Sequence, residues 1–160
     1  MIQDYEFYWR QGDFVSLNGK VSLNGKKKPQ NILIAADHPV FLKLIKGILE
    51  DAHYTVLTAN SAKKALRIEA EFSGTIDLLL CDLTMPGISG PDLAKKLKIQ
   101  RPAMRIILMS SYPDGALLVL NYGWHFIQQP FMPQALVGRI KHVLRSKTRE
   151  QGTDHFDTRN

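Results

Sequence analysis

The sequence contains 160 residues, the usual size of a single globular domain, and its 44% hydrophobic and 22% charged residues exclude a wholly disordered or collagen-like chain. No uncharged apolar run approaches the roughly 18 residues that a membrane span needs, and a single cysteine excludes a disulfide framework and a zinc knuckle. The net charge is +6, but the basic residues form no concentrated stripe, which argues against a nucleic-acid reader.

Residues 1–29 differ from the rest of the chain and are predicted to be an N-terminal extension or linker. They contain crowded aromatic side chains that follow neither a helical nor a strand period: Tyr5, Phe7, Tyr8, Trp9 and Phe14. The hexapeptide VSLNGK at 15–20 is repeated at 21–26. Its Asn-Gly pair favours a tight turn, so a small hairpin is one interpretation. A duplicated linker and a cloning remnant are the two alternatives. The opening residues carry acids where a signal peptide has bases, so a cytoplasmic protein is expected.

From residue 30 to residue 146, short apolar or β-branched runs alternate with segments of helical period. The runs are predicted to be strands at 31–36, 54–58, 76–81, 105–109 and 124–127. Pro39 suits a first helical turn and Ser61 suits an N-cap. Helices are predicted at 39–49, 61–72, 91–100, 114–120 and 133–145. The remaining residues, 147–160, are predicted to be a polar C-terminal tail.

This alternation of strands and amphipathic helices predicts the fold class. Strands that read as buried on both faces are typical of a parallel sheet that helices cover on both sides. Because the connections between parallel strands are right-handed, the expected architecture is a five-stranded, doubly wound α/β fold.

Polar side chains follow four of the predicted strands. Asp37 follows the first strand, Asp82 the third, Ser110 the fourth and Gln129 the fifth. Because ligands of open α/β sheets bind beyond the carboxyl ends of the strands, we expect these side chains to converge. Two close carboxylates need a cation, for which Mg²⁺ is the best fit, and a carboxylate beside Mg²⁺ can attack phosphorus. No Gly-rich phosphate motif follows a strand, which argues against dinucleotide and NTP binding.

Four segments at the strand ends carry a specific combination of residues. They read NILIAADHP at 31–39, DLLLCDLTMPGISG at 77–90, ILMSS at 107–111 and FIQQPF at 126–131. In this order they resemble the receiver domain of two-component signalling, and the resemblance covers about residues 30–146. It implies the flavodoxin-like receiver fold, and the last segment is similar to receivers at the C-terminus of hybrid histidine kinases.

The resemblance also implies a role for individual residues. Asp82 matches the phosphoacceptor, and Asp37 and Asp82 match side-chain ligands of Mg²⁺, with the main-chain carbonyl of Thr84 as a third ligand. Ser110 matches the hydroxyl that bonds the phosphoryl group, and Phe126 matches the aromatic residue that reports it. The implied partner is a histidine kinase or phosphotransfer protein, with neither nucleic acid nor a membrane as a partner of its own. The implied function is that of a phosphoacceptor in a phosphorelay, not of an enzyme.

Two positions depart from the family's pattern. Ala36 stands where the first of two adjacent acids is usual, so weaker Mg²⁺ binding is expected. Gln129 stands where a lysine is usual, and its neutral hydrogen bond has roughly half the strength of a charged one. These departures favour an alternative, a pseudo-receiver that binds partners without a full phosphorylation switch. A third reading, a phosphatase acting through Asp82, lacks a further acid or base at the strand ends.

Several of these residues also have a purely structural interpretation. Asp37 is a plausible N-cap for the helix that begins at Pro39, and Ser110 could simply close a loop. Cys81 is interpreted as a small core residue rather than a redox thiol. The five histidines lack metal-ligand spacing. The apolar run at 117–120 is either unusually buried or part of a partner surface, and both interpretations stay open.

Overall fold

The computed structural model describes residues 7–10, 13–16, 28–120 and 122–146. The chain divides into two compact units, one ending at Gln30 and one beginning at Asn31. Within the described ranges, no helix is long and apolar enough to cross a membrane. The predicted C-terminal tail lies outside these ranges.

The first unit contains a pair of antiparallel strands, β1 (Phe7–Arg10) and β2 (Asp13–Ser16). Trp9 lies opposite Phe14 in their register. The interpretation that the aromatic segment lacks strand structure was therefore wrong, because a strand of four residues is too short for its alternation to stand out. Apart from Val15 and Ser16, the VSLNGK repeat lies outside the described residues, as does the hairpin considered at its Asn-Gly pair.

The second unit is an open sheet of five parallel strands with helices between them. Its elements are β3 (Asn31–Ala35), α1 (Pro39–Asp51), β4 (Thr55–Ala59), α2 (Ala62–Glu71), β5 (Leu78–Asp82), α3 (Gly90–Gln100), β6 (Arg105–Ser110), α4 (Gly115–Leu120), β7 (His125–Gln128) and α5 (Pro133–Arg145). The strand order is β4-β3-β5-β6-β7. This arrangement confirms the predicted doubly wound α/β fold, since every neighbouring pair is parallel.

The third strand of this sheet begins two residues later than predicted. Its expected first residues include Asp77, whose side-chain Oδ2 accepts a hydrogen bond of 2.7 Å from the backbone N–H of Asn31. The backbone of Asp77 also donates to Asn31 and accepts from Arg105. Asp77 therefore fastens the amino ends of three strands together, and β5 proper starts at Leu78.

Side chains at the helix starts explain where the helices begin. His38 is the N-cap of α1, and its Nδ1 accepts a hydrogen bond from the N–H of Phe41 at 3.4 Å. The interpretation of Asp37 as this N-cap is therefore wrong, because Pro39 at the first helical position makes the preceding histidine the cap. Ser61 caps α2 as predicted, by accepting from the N–H of Lys64 at 3.2 Å.

Two apolar cores lie on opposite faces of the sheet, because successive strand residues alternate between them. In β3, Leu33 and Ala35 pack towards α2 and α3, whereas Ile32 and Ile34 pack towards α1 and α5. Cys81 is buried in the first core, and this burial raises the pKa of its thiol. A thiol with a raised pKa is unreactive, which supports the interpretation of Cys81 as a core residue. The helices thus cover both faces and leave the strand ends as the open part of the sheet.

Two described side chains of helix α4 differ in burial. Val119 is 2% exposed, whereas Leu117 is 66% exposed. Burial therefore holds for Val119, whereas the side chain of Leu117, two residues earlier, faces solvent, and the interpretation as a partner surface stays a prediction.

Candidate functional site

The carboxyl ends of β3 and β5 form the crevice where polar residues were expected to converge. The strand order reverses at β3, because the chain crosses first to β4 on one side and then to β5 on the other. Ala35 pairs with Cys81 in the register of the two strands. Asp82 directly follows Cys81, Asp37 lies two residues after Ala35, and the charge of Asp37 acts on the carboxyl group of Asp82. The crevice therefore brings the two predicted carboxylates together.

Asp82 is the last residue of β5, and it is half-buried. The pKa of its carboxyl group is raised from 3.8 to about 6, mainly because burial penalises the charged form and also because Asp37 adds a second negative charge. The amide of Gln129 and the imidazole of His38 lower this pKa, since both favour the carboxylate. The raised pKa means that a cation bound in the crevice would stabilise the ionised site.

Gln129 contacts the carboxylate directly. Its side-chain Nε2 donates a hydrogen bond of 3.2 Å to Oδ1 of Asp82. Its backbone N–H donates to the carbonyl oxygen of Ser110 at 2.8 Å, which extends the β6–β7 pairing by one residue beyond Gln128. The carboxylate of Asp82 therefore has a neutral amide donor, rather than a cation, on its Oδ1.

Ser110 is buried at the end of β6, one strand away from Asp82. Its Oγ accepts a hydrogen bond from the backbone N–H of Tyr112 at 3.0 Å. This is the loop-closing contact that the structural interpretation of Ser110 expects. It leaves the hydroxyl able to donate a hydrogen bond, because a hydroxyl can donate and accept at once.

The loop after β5 is held close to the strand ends by main-chain contacts. The N–H of Leu83 donates to Met109 at 2.7 Å, and the N–H of Gly90 donates to the carbonyl of Leu83 at 2.9 Å. A Cβ at Gly90 would collide with the main-chain oxygen of Asp82, so only glycine fits there. Thr84 lies exposed on this loop, two residues beyond Asp82.

Phe126 packs against the core that also contains Leu83, the residue after Asp82. The ring is half-buried in the core on the α2 and α3 side of the sheet. A Cβ added to Gly115 would be 2.7 Å from Cε2 and 3.0 Å from Cζ of this ring, and 3.3 Å from Cδ2 of Leu83. Phe126 therefore rests against the first residue of α4 near Leu83, which directly follows Asp82.

Sequence reasoning missed two residues that shape this region, His38 and Gly115. His38 caps α1 and favours the ionised form of Asp82. Its position before the proline of a predicted helix start was the available signal. Gly115 receives the Phe126 ring, and nothing in the local sequence distinguishes it from an ordinary loop glycine.

The crevice has the ligand types that Mg²⁺ prefers. Within the described parts of the chain, no group of three or more His, Cys, Asp or Glu side chains could hold a metal ion. Asp37 and Asp82 carry like charges that repel each other. Such a pair nevertheless suits a hard cation that takes few protein ligands and keeps several waters. The residues present therefore fit Mg²⁺ better than a metal that needs a full protein cage.

Comparison with solved structures identifies similar folds. A response regulator receiver domain protein from Clostridium thermocellum is 31% identical, with a TM-score of 0.66 over 72% of this chain and 94% of that chain. The receiver domain of the hybrid histidine kinase CckA is 32% identical, with a TM-score of 0.62 over 72% of this chain and 99% of that chain. Both matches join fold similarity to appreciable sequence identity.

Sequence relatives are longer than the region they share with this chain. The response regulator GtcR of Aneurinibacillus migulanus is 33% identical over 118 residues, which are 72% of this chain and 48% of GtcR. The sensor kinase CckA of Brucella abortus is 31% identical over 99 residues, which are 60% of this chain and 10% of that kinase. The family model of the response regulator receiver domain matches residues 32–141. The chain therefore belongs to the response regulator receiver domain family.

Proposed function

We propose that Asp82 accepts a phosphoryl group from the phosphohistidine of a histidine kinase or phosphotransfer protein, as one step of a two-component phosphorelay in the cytoplasm. The observation that supports this proposal is the setting of Asp82: a strand-end carboxylate, half-buried beside Asp37, with an amide donor on one oxygen. The protein then works as a signalling module whose own side chain is the acceptor, not as an enzyme that turns over a substrate.

The transfer is a substitution at phosphorus. Gln129 engages Oδ1 of Asp82, so we assign Oδ2 as the nucleophile. The new O–P bond forms as the P–N bond to the donor imidazole breaks, and the departing histidine keeps the electron pair and takes up a proton. Bound Mg²⁺ would neutralise part of the charge on the phosphoryl oxygens, and Asp37, Asp82 and the main-chain carbonyl of Thr84 would hold it.

Phosphorylation would change the charge of the crevice and the partners of nearby groups. A phosphoryl group adds about −1.5 to −2 charge at neutral pH. The hydroxyl of Ser110 would donate to a phosphoryl oxygen, and the ring of Phe126 would follow the loop that begins at Leu83. The new arrangement would alter the surface around α4, which is the output of the module.

The likeness to the CckA receiver supports a phosphohistidine as the donor, because that receiver comes from a hybrid histidine kinase. A receiver attached to a kinase would receive its phosphoryl group within the same protein. A receiver that stands alone would receive it from a separate partner. The identity of the partner is part of this proposal, since the chain spans only 10% of the length of the sensor kinase it matches.

A second candidate is a pseudo-receiver that binds partners without switching. It is favoured by Ala36, whose side chain is fully buried and supplies no ligand, and by the neutral amide of Gln129. In this case the fold and the helix surfaces would act, whereas Asp82 would accept no phosphoryl group or would accept one without consequence.

Incubation with a small phosphodonor and Mg²⁺, followed by intact mass spectrometry, tests the leading proposal. We expect a mass gain of one phosphoryl group that is stable enough to detect and is lost in mild base, as an acyl phosphate is. Asp82→Asn should abolish this gain, whereas Asp51→Asn, which removes an exposed acid at the end of α1, should leave it intact. Labelling that persists in Asp82→Asn would refute the assignment, and an unlabelled wild type would favour the pseudo-receiver.

A further inference from the structure

We propose that Gly115 is a positioning residue: the missing side chain at the start of α4 makes the seat for the Phe126 ring, and this seat couples the loop after Asp82 to α4. The inference rests on the proposed function, because it assigns the route by which a phosphoryl group on Asp82 reaches the helix.

The first step of the argument is the space that Gly115 leaves. A Cβ there would lie 2.7 Å from Cε2 and 3.0 Å from Cζ of Phe126, closer than side-chain carbons approach in folded proteins. Those atoms are the far edge of the ring, so the ring would have to leave its place while the backbone stayed. Gly115 is buried, so solvent does not reach this space.

The second step is the link from this seat to the phosphoacceptor. The same absent Cβ would be 3.3 Å from Cδ2 of Leu83, so ring, helix start and Leu83 meet at one point. Leu83 directly follows Asp82, and its backbone is bonded to Met109 and Gly90. A shift of the loop after Asp82 therefore presses on the ring through packed side chains, which transmit displacement because the interior is dense.

The third step is that the far end of α4 is tied to its surroundings. Tyr122 donates a backbone hydrogen bond to Val119 at 3.1 Å, and its ring stacks on that of Trp124 with centroids 4.5 Å apart. The Nζ of Lys95 in α3 lies 4.9 Å from the centroid of the Tyr122 ring. Movement passed on by Phe126 would thus be taken up at the Gly115 end of the helix.

Alanine at position 115 separates this role from ordinary helix propensity. Replacing a helical glycine by alanine usually raises stability where space allows. Gly47 in α1 and Gly138 in α5 have nothing within 4 Å of a built Cβ, so they are matched controls. We expect Gly47→Ala and Gly138→Ala to raise the folded-to-unfolded ratio by about 2- to 5-fold. Gly115→Ala should lower it by about 5-fold or more, because the ring is displaced.

The decisive measurement compares the full-length wild type and Gly115→Ala by NMR, with and without beryllofluoride and Mg²⁺. We expect Gly115→Ala to accept phosphoryl on Asp82 as the wild type does by intact mass, while the shift changes at Leu117 and Val119 fall several-fold. Gly138→Ala should keep the full response. An unchanged response in Gly115→Ala would overturn the proposal.

A second variant guards against a merely structural effect. Phe126→Leu shortens the side chain, so adding Gly115→Ala in that background should no longer lower the folded-to-unfolded ratio. An equal loss in both backgrounds would show that the ring is not what the methyl group meets, and would also overturn the proposal. If the wild type itself takes no phosphoryl group, the proposed function fails, whereas this stability comparison still decides whether Gly115 seats the ring.

Discussion

The carboxyl group of Asp82 has a chemical character that its neighbours determine. Burial and the charge of Asp37 raise its pKa to about 6, while the Gln129 amide and His38 oppose the rise. A carboxylate that is held ionised against desolvation is a better nucleophile than one surrounded by cations. In the proposed transfer, the neutral amide at 129 would therefore preserve the reactivity of Asp82 and would bind the phosphoryl group less strongly than a lysine.

The raised pKa of Asp82 predicts how stability changes with pH. The folded-state pKa of about 6 exceeds the unfolded value of 3.8, so the protonated carboxyl stabilises the fold below pH 3.8 and this contribution is lost as pH rises through 6. Asp82→Asn should therefore raise the free energy of unfolding at pH 7 and change it little at pH 4. A pKa difference of about 2 corresponds to roughly 2.7 kcal/mol, and partial exposure reduces the expected gain to about 1 kcal/mol.

Urea unfolding of both proteins at the two pH values, without divalent cations, measures this effect. Asp114→Asn, which removes an exposed acid before α4, serves as the control and should show no such pH-dependent difference. A gain for Asp82→Asn that is equal at pH 4 and pH 7 would mean that the charge of Asp82 is not the cause.

The position before Asp37 predicts the strength of Mg²⁺ binding. Ala36 is fully buried, and its N–H donates to Ala59 at 3.1 Å, so the backbone there is fixed and a new side chain would start from the edge of the crevice. Ala36→Asp should tighten Mg²⁺ binding by roughly 10-fold, since a unit charge a few ångströms away is worth about 1–4 kcal/mol. The same carboxylate should lower stability when Mg²⁺ is absent.

Isothermal titration calorimetry and thermal unfolding with and without MgCl₂ measure both effects. Ala36→Asn adds the same bulk without the charge, and it should bind Mg²⁺ no more tightly than the wild type. Equal affinities for Ala36→Asp and Ala36→Asn would remove the charge argument. Trp124 is a poor reporter for this titration, because it precedes β7 and so lies at the opposite end of the strands from the crevice.

At this scale, the sequence predicted the polar residues at the strand ends better than their contacts. Asp82 and Asp37 could be placed because each directly follows a buried strand. The hydrogen bond from Gln129 to Asp82 was not predictable, because it depends on the side-chain conformation of a residue 47 positions away. The cap of α1 was assigned to the wrong residue, since aspartate and histidine can both accept a helix N–H and only the backbone path selects between them.

The start of α3 shows how closely one element can pack against another. Gly90 begins this helix, and a Cβ there would strike the main-chain oxygen of Asp82 at the end of β5. Unlike the Phe126 ring at Gly115, the main-chain atoms cannot move aside. The loop between β5 and α3 therefore keeps its place because a helix start rests on the strand end.

This contact predicts a large cost for Gly90→Ala. We expect a loss of about 3 kcal/mol in the free energy of unfolding, because overpacking against backbone forces the strand end and helix apart. Gly138→Ala should instead add about 0.5–1 kcal/mol, since its built Cβ meets nothing and alanine favours the helix. Urea denaturation of both variants decides the point, and a neutral Gly90→Ala would contradict the close approach.

Most elements were predicted to within two residues, for an identifiable reason. The hydrophobic pattern of the sequence reflects which residues are buried. It therefore located β6 from its continuous apolar run and α5 from its helical period. The strands β1 and β2 were not predicted, because each has only four residues, and a strand that short shows no clear alternation of apolar and polar side chains. The side of α4 that is buried, at Val119, was also left open, because an all-apolar run carries no direction.

At the scale of the whole molecule, the proposed function requires a phosphoryl signal to travel from the crevice to α4. The amide at Gln129 would hold a phosphoryl oxygen without a charge, so the phosphorylated arrangement gains less free energy than it would beside a lysine. A modification that favours neither of two arrangements shifts no population, however stable it is. We therefore expect the wild type to accept phosphoryl on Asp82 with a measurable response in α4 that is smaller than the response of a variant with lysine at position 129.

Gln129→Lys should enlarge that response. The comparison is the NMR shift change at Phe126 and Leu117 on adding beryllofluoride and Mg²⁺. Gln128→Lys, which adds the same charge on the exposed neighbour, is the control and should behave as the wild type does. A full response in the wild type that Gln129→Lys does not increase would show that the amide suffices, and would count against the pseudo-receiver.

The margins of the five-stranded sheet limit how this receiver can meet another protein. The outermost strands β4 and β7 have five and four residues, and β7 is followed after Gln129 by Pro130, which has no N–H to offer. The few main-chain groups of β7, and the proline that follows it, give an incoming strand little to pair with at that edge. Association by strand addition is thereby discouraged, and so is the edge-to-edge aggregation that long open strands invite. A partner of the proposed phosphorelay would then contact side chains on the helices and loops, where specificity can be set residue by residue.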